Sequence, residues 1–217
     1  MTYPKVADEW ATLTRLHLGF SIARGGDGEL KTMDGASYVR QDGSQKLAAE
    51  LREVFTNPHP RCIVGIPTMN PHGPKFPKWD RHRGRFERLL EGTKVERYYS
   101  AFISRPDSAP WIREPAFAMA MQQLWSGKRV AVLCEPENSM LRVLGLSASN
   151  IDHVKCPTFQ AYGHIDHFER QLMRNGPDLI VMACGPTATC LANRFARHGI
   201  QALDLGSAGG FLLKLLS

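Results

Sequence analysis

The stretch from Asp178 to Leu205, DLIVMACGPTATCLANRFARHGIQALDL, leaves the chain little choice of fold. Asp178 to Ala183 is a short apolar run bounded by turn residues, the pattern of a strand buried on both faces. Cys184-Gly185-Pro186-Thr187 is a turn. From Thr187 to His198, the residues Ala188, Leu191, Ala192, Phe195 and Ala196 fall on one helical stripe, and Gly199 stands where a helix ends. Ile200 to Leu205 is a second strand. Strands joined through a helix run parallel.

The same alternation recurs along the chain. Leu18–Ala23, Cys62–Ile66, Tyr98–Ser104, Arg129–Cys134 and Ile151–Lys155 read as strands. Helices are predicted over Thr2–His17, Gln45–Thr56 (with Ser44 as cap), Arg83–Leu90, Trp111–Trp125, Asn138–Leu146 and His164–Asn175. The expectation is an α/β fold, a single Rossmann-like domain over residues 1–217, with a mostly parallel sheet covered by helices on both faces. Neither a repeat nor a linker interrupts it.

Composition narrows the class. No apolar run reaches the roughly 20 residues that span a bilayer, and MTYPKVADEW lacks the basic and apolar regions of a signal peptide. Five scattered cysteines without a C-x-x-C pair read as reduced thiols of a cytoplasmic protein, not as a zinc site. His153, His164 and His167 read as an exposed helix face. The net charge of +6 permits an anionic partner. There is no G-x-G-x-x-G after the first strand, no P-loop and no G-x-S-x-G elbow, which disfavours dinucleotide dehydrogenases, P-loop NTPases and serine hydrolases.

A parallel sheet puts all strand C-termini on one edge, where α/β folds bind ligands. Four features gather there: Arg24 and Gly26 with Asp27 and Glu29 in FSIARGGDGEL; Ser104-Arg105; Glu135; and Gly185-Pro186-Thr187. An Asp-x-Glu pair offers hard oxygen ligands to a divalent cation. Arginine offers a fork for phosphate oxygens, and a helix opening at Gly-Pro-Thr favours a phosphate at its N-terminus. Each alone has an ordinary reading as a turn or a solvated pair. Together they match what a nucleotide-diphosphate leaving group needs.

A second feature stands apart. Pro67 to Asp80 is a long irregular segment, and between Pro74 and Arg88 lie Lys75, Lys78, Arg81, Arg83, Arg85 and Arg88 against Asp80 and Glu87, a local balance of +4. Phe76, Trp79 and Phe86 are interleaved. Such a stretch reads either as a solvated loop with one or two aromatics tucked onto the core or as a surface that follows a phosphate backbone while rings stack on bases.

These motifs, in this order, resemble the GT-D glycosyltransferases, a Rossmann-like family first catalogued as a bacterial domain of unknown function. The resemblance rests on ARGGDGEL, YYSAFISRP, LWSGKRVAVLCE, VKCPTFQAY and LIVMACGPTATCLANRFARHGIQALDLG. It implies transfer of a sugar from a nucleotide diphosphate donor, typically a UDP-sugar, with Mn²⁺ or Mg²⁺ at Asp27 and Glu29. By the same resemblance Arg24, Gly26, Ser104, Arg105, Gln160, Gly185, Pro186 and Thr187 contact the donor, and Glu135 is an acceptor-side or catalytic carboxylate. Gln160 stands where the family usually has Asn, and Ser207 where it often has His.

The acceptor is open at this stage. The charge surplus and the basic loop (Lys75, Lys78, Trp79, Arg81, Arg83, Arg85) favour a hydroxymethylated pyrimidine in DNA, as for phage-type enzymes working in a host cytoplasm. The alternatives are a glycosyltransferase acting on a protein-linked or cell-surface glycan, a hydrolase using the same metal site, and a non-enzymatic nucleic-acid-binding module.

Overall fold

The computed structural model describes residues 2–39 and 41–217. Its strands are β1 (Ser21–Arg24), β2 (Cys62–Ile66), β3 (Tyr99–Ser100), β4 (Arg129–Cys134), β5 (Asn150–Lys155), β6 (Leu179–Met182) and β7 (Ala202–Asp204). They form one seven-stranded sheet in the order β3-β2-β1-β7-β6-β4-β5, with parallel pairing throughout. Successive strand side chains point to opposite faces, so each strand feeds two cores. Ala23, Val64, Leu133 and Met182 enter one; Ile22, Ile63, Val132 and Val181 enter the other.

The helices are α1 (Glu9–His17), α2 (Asp27–Met33), α3 (Gln45–Thr56), α4 (Phe76–Asp80), α5 (Arg83–Leu89), α6 (Pro115–Gln123), α7 (Ser139–Leu144), α8 (Ile165–Met173), α9 (Pro186–Arg197) and α10 (Gly209–Leu216). Side chains of α2, α3, α5, α8 and α9 close the first core, and those of α1, α6, α7 and α10 close the second. Among the described residues no helix is long and apolar enough to cross a membrane.

This arrangement opens a crevice. The chain leaves β1 into α2 on the first face. It leaves the neighbouring β7 through a short 3₁₀ turn, Gly206–Ala208, into α10 on the second. Adjacent strands whose connections depart to opposite faces cannot be covered at their carboxyl ends, and ligands bind there. The pair β4 and β6 repeats the device, with α7 on one face and α9 on the other.

Three expected elements differ. The first helix starts at Glu9, because Asp8 caps it by accepting from Ala11 N at 2.7 Å; before it, Val6 bridges to Tyr98. The expected strand Tyr98–Ser104 pairs only through Tyr99 and Ser100, then tightens into a 3₁₀ turn, Ala101–Ser104. Ser100 causes the switch: its Oγ accepts from Phe102 N at 3.0 Å and donates to Glu9 Oε1 at 2.6 Å. The run Trp111–Trp125 divides into a 3₁₀ turn, Pro110–Arg113, and α6, since Pro115 starts a helix rather than continuing one.

Buried Glu9 therefore holds two elements, since Trp111 Nε1 also donates to it at 2.6 Å. Glu9→Ala leaves both donors without their acceptor. Urea denaturation is expected to show a loss of about 1–3 kcal/mol, with Glu9→Gln losing less.

Candidate functional site

Two adjoining cavities line the crevice. The larger, about 320 Å³, is walled by Glu135 and Asn138 after β4, Cys184, Gly185 and Pro186 after β6, and Gly206 and Ser207 after β7. The smaller, about 110 Å³, lies over the end of β1 and is lined by Arg24, Gly26, Asp27, Glu29, Trp79 and Arg105. Tyr38 lines both. Four features that lie far apart along the chain thus meet along one edge.

The Asp-x-Glu segment is not a turn. Asp27 opens α2, and Glu29 reaches back to accept from Gly26 N at 2.8 Å, completing a capping arrangement. Two positions apart on a helix means about 200° around its axis, so the carboxylates have different partners. Asp27 faces Lys78, with Nζ 3.1 Å from Oδ2, in side chains 22% and 35% exposed. That contact helps to hold the Asp27 carboxyl below its ordinary range against the opposing effect of burial. Glu29 faces inward, and burial, reinforced by the Asp204 charge, raises its pKa from 4.5 to about 7.

Arg24 is committed to the protein. Its Nε donates to Asp204 O at 2.5 Å, Nη2 to Asp204 Oδ1 at 3.0 Å, and Nη1 to Ala101 O at 3.3 Å and to Ser104 Oγ. Thr189 Oγ1 closes the cluster by donating to Arg24 O at 2.9 Å. These bonds brace β1, β7 and the 3₁₀ turn; Arg24 also lines the smaller cavity, whereas Ser104 is buried. Arg105 borders the smaller cavity while making a two-point contact with Asp107, both bonds 2.9 Å.

Gln160 also has a different place. It takes a left-handed backbone, φ +58°, and its side chain bonds Gln41 and Asp42; Gln41 in turn bridges to Tyr38. Such a backbone is uncommon for residues other than Gly and Asn. At Gly28, any Cβ would come within 2.7 Å of the Tyr38 ring, and at Gly206 within 2.5 Å of the Arg24 guanidinium. These glycines admit side chains.

Gly185 has φ +59° and ψ −143°, a conformation open essentially to glycine alone. It turns the chain from β6 into α9, so that Pro186 lines the larger cavity. Thr187 Oγ1 is buried there without a hydrogen-bond partner, an unspent polar group at the start of a twelve-residue helix.

The basic stretch does not form a base-stacking surface. Trp79 is 3% exposed, packed on Phe102 with ring centroids 5.3 Å apart, and Phe86 is fully buried. Arg83 pairs with Asp80 at 2.8 Å, Arg85 pairs with Asp34, and Arg81 Nε donates to Pro77 O at 3.2 Å. Lys75 is exposed beside them. Two residues outside the expected set prove central: Asp204, foreshadowed by an acid at the end of the last strand, and Tyr38, an aromatic isolated in a polar stretch.

Asp27 and Glu29 both line the smaller cavity; the Gly26 amide engages Glu29, and the Lys78 ammonium stands beside Asp27 where a hard divalent cation would bind. The charge balance agrees. Arg24, Lys78 and Arg105 are matched by Asp204, Asp27 and Asp107, so a diphosphate entering the smaller cavity meets little net positive charge. The site therefore suits a cation that arrives with its ligand. Among the described residues no three His, Cys, Asp or Glu side chains are grouped to hold a metal on their own, His153, His164 and His167 included.

Comparison with known proteins follows this geometry. A family model described as "Glycosyltransferase GT-D fold" matches residues 22–209. The "Probable glycosyl transferase Gly" of Streptococcus gordonii is 26% identical over 208 residues, covering 88% of this chain and 30% of that protein. "Glycosyltransferase GlyD" of Streptococcus pneumoniae serotype 4 is 24% identical, covering 86% of this chain and 24% of its own length. This chain thus spans less than a third of those relatives. A solved structure described as "The highly conserved domain of unknown function 1792 has a distinct glycosyltransferase fold" superposes with a TM-score of 0.82 at 28% identity, over 95% of this chain and 79% of that one. "A New Glycosyltransferase (DUF1792) from Streptococcus sanguinis" gives a TM-score of 0.80 at 24% identity, over 94% and 82% of the two chains.

Two outcomes follow from the bracing cluster. Arg24→Met leaves Asp204 buried and unpaired and is expected to cost about 3–5 kcal/mol of stability, measured by denaturant unfolding. For Glu29, the unfolded chain releases its proton near 4.5 and the folded chain only near 7. Between those values the folded state holds a proton that the unfolded state has lost, so this contribution to stability declines as pH rises from about 4.5 to about 7. Glu29→Gln, which can keep the cap, is expected to flatten that decline in unfolding curves taken at pH 5 and pH 8.

Proposed function

The chain belongs to the glycosyltransferase GT-D fold family, and from that premise we propose that it transfers a sugar from a nucleotide diphosphate donor, a UDP-sugar by preference, to a hydroxyl on a protein-linked or cell-surface glycan. The two cavities share Tyr38 as a lining residue, and that adjacency carries the reading. One end offers the N-terminus of α9 at Gly185 and Pro186; the other offers Asp27 and Arg105; Tyr38 joins them. A nucleotide diphosphate has the length and charge to use both.

In this proposal the acceptor oxygen forms a bond to the anomeric carbon as the bond from that carbon to the diphosphate breaks. Glu135, on the wall of the larger cavity, receives the acceptor proton. Arg105 and the α9 N-terminus hold the departing diphosphate, where preorganised donors act most strongly. Asp27 is the residue that would hold a divalent cation, and such a cation supplies charge neutralisation to the leaving group. Arg24, Ser104 and Asp204 fix these groups without touching the donor, while Tyr38 and the segment around it keep water from the reacting carbon.

The acceptor reading rests on the basic stretch as folded. Two of its three rings, Trp79 and Phe86, are buried, and most of its arginines have partners within the protein, which leaves little for a DNA strand to grip. The similar curated proteins are named glycosyltransferases and come from streptococci.

The test is a transfer assay with a panel of radiolabelled UDP-sugars, offering glycosylated peptides and hydroxymethylcytosine or hydroxymethyluracil DNA side by side. Label is expected in the glycan and absent from DNA. The double substitution Asp27→Asn with Glu29→Gln is expected to abolish it nearly completely. Label in DNA alone restores the nucleic-acid acceptor; free sugar released without any acceptor indicates a hydrolase.

A further inference from the structure

Lys78 takes no part in the reaction proposed above, yet its ammonium pairs with Asp27, a residue that lines the smaller cavity. Arg24 and Arg105 line that cavity themselves, and the three cations are held differently. Arg24 is fixed by bonds to Asp204, Ala101 and Ser104, and Arg105 by two bonds to Asp107. Among the described residues Lys78 makes a single ion pair, to Asp27 at 3.1 Å, with its Nζ 4.6 Å from the Trp79 ring centroid.

The helix that carries it is suited to release. α4 has five residues and is anchored by Trp79, whose indole is buried on Phe102 and whose Nε1 lies 3.4 Å from Ser108 Oγ. Its neighbours Lys75, Pro77 and Asp80 are exposed. Lysine's four-carbon stem lets the ammonium move several ångströms while the backbone stays pinned. A diphosphate in this cavity presents oxygens with more charge than one carboxylate, and Asp27 holds Lys78 by one contact only.

We propose that Lys78 is a donor-sensing residue: in the free protein it occupies the cation place at Asp27, and an arriving nucleotide diphosphate draws it onto phosphate oxygens, freeing Asp27 for a divalent cation. The proposal rests on the donor reading above and deepens it. Its consequence is order. Cation alone competes with Lys78 and binds weakly; nucleotide alone gains Lys78 as a contact; with nucleotide bound, Asp27 is open. Coupling of this kind is reciprocal between the two ligands.

Lys78→Met separates the arms because its effects have opposite signs. Without nucleotide, Mn²⁺ binding followed by the electron paramagnetic resonance of free Mn²⁺ is expected to tighten roughly fivefold to tenfold, since the competing ammonium is gone. In chelator, with no metal, UDP binding followed by calorimetry is expected to weaken by a similar factor, roughly fivefold to tenfold. Lys78→Arg keeps the charge and is expected to bind both ligands much as the unsubstituted protein does. Partial unfolding weakens both and cannot produce opposite shifts. The proposal is overturned if Lys78→Met leaves either affinity unchanged or moves both in the same direction. If UDP fails to bind the unsubstituted protein with or without Mn²⁺, the donor reading itself falls, and this proposal with it. UDP binding that is indifferent to Lys78 overturns the proposal alone.

Discussion

The ion pair between Arg24 and Asp204 is the contact on which the site depends. Arg24 ends β1 and Asp204 ends β7, the two strands whose outgoing connections part to opposite faces. Backbone pairing between these strands is short, a single register pair at Ile22 and Leu203. The side chains extend that junction beyond the strands and fasten it to the turn at Ala101–Ser104. A buried pair of this kind costs desolvation and returns it only when its remaining donors are satisfied. Here the guanidinium meets that condition: it donates to the Asp204 carboxylate, to the carbonyls of Asp204 and Ala101, and to the Ser104 hydroxyl. The crevice stays open because the strands beside it cannot separate.

From that brace the chemistry divides by position. Groups held from several sides, Arg24, Ser104 and Asp204, set geometry. Asp27, which lines the cavity, and Lys78, which pairs with it, are held less tightly and can exchange partners. Glu29 belongs with the first set although it stands two residues from Asp27, because the first turn of α2 directs it to the Gly26 amide.

Much of this was legible in the sequence. The short apolar runs and the helical stripes, punctuated by Gly199 and Ser44, foretold a parallel α/β sheet, and parallel strands by themselves bring Asp27, Arg105, Glu135 and Gly185 to one edge. What was not legible depends on contacts between distant segments. Ser100 turns an apolar run out of the sheet because Glu9 waits ninety-one positions away. Which of the rings among the arginines enter a core is set by tertiary packing, and Trp79 and Phe86 do. The hold of Asp204 on Arg24 joins positions a hundred and eighty apart. Gly28 and Gly206 leave room for Tyr38 and Arg24, contacts that no local pattern announces.

The central claim is that the two cavities are one donor site. Crystallography of the protein with UDP and Mn²⁺ tests it most directly. The account predicts diphosphate density bridging the start of α9, at Gly185 and Pro186, and the Asp27 carboxylate, with Lys78 withdrawn from Asp27. Nucleotide bound away from the β1–β7 crevice, or in the larger cavity with its diphosphate pointing away from Asp27, contradicts it.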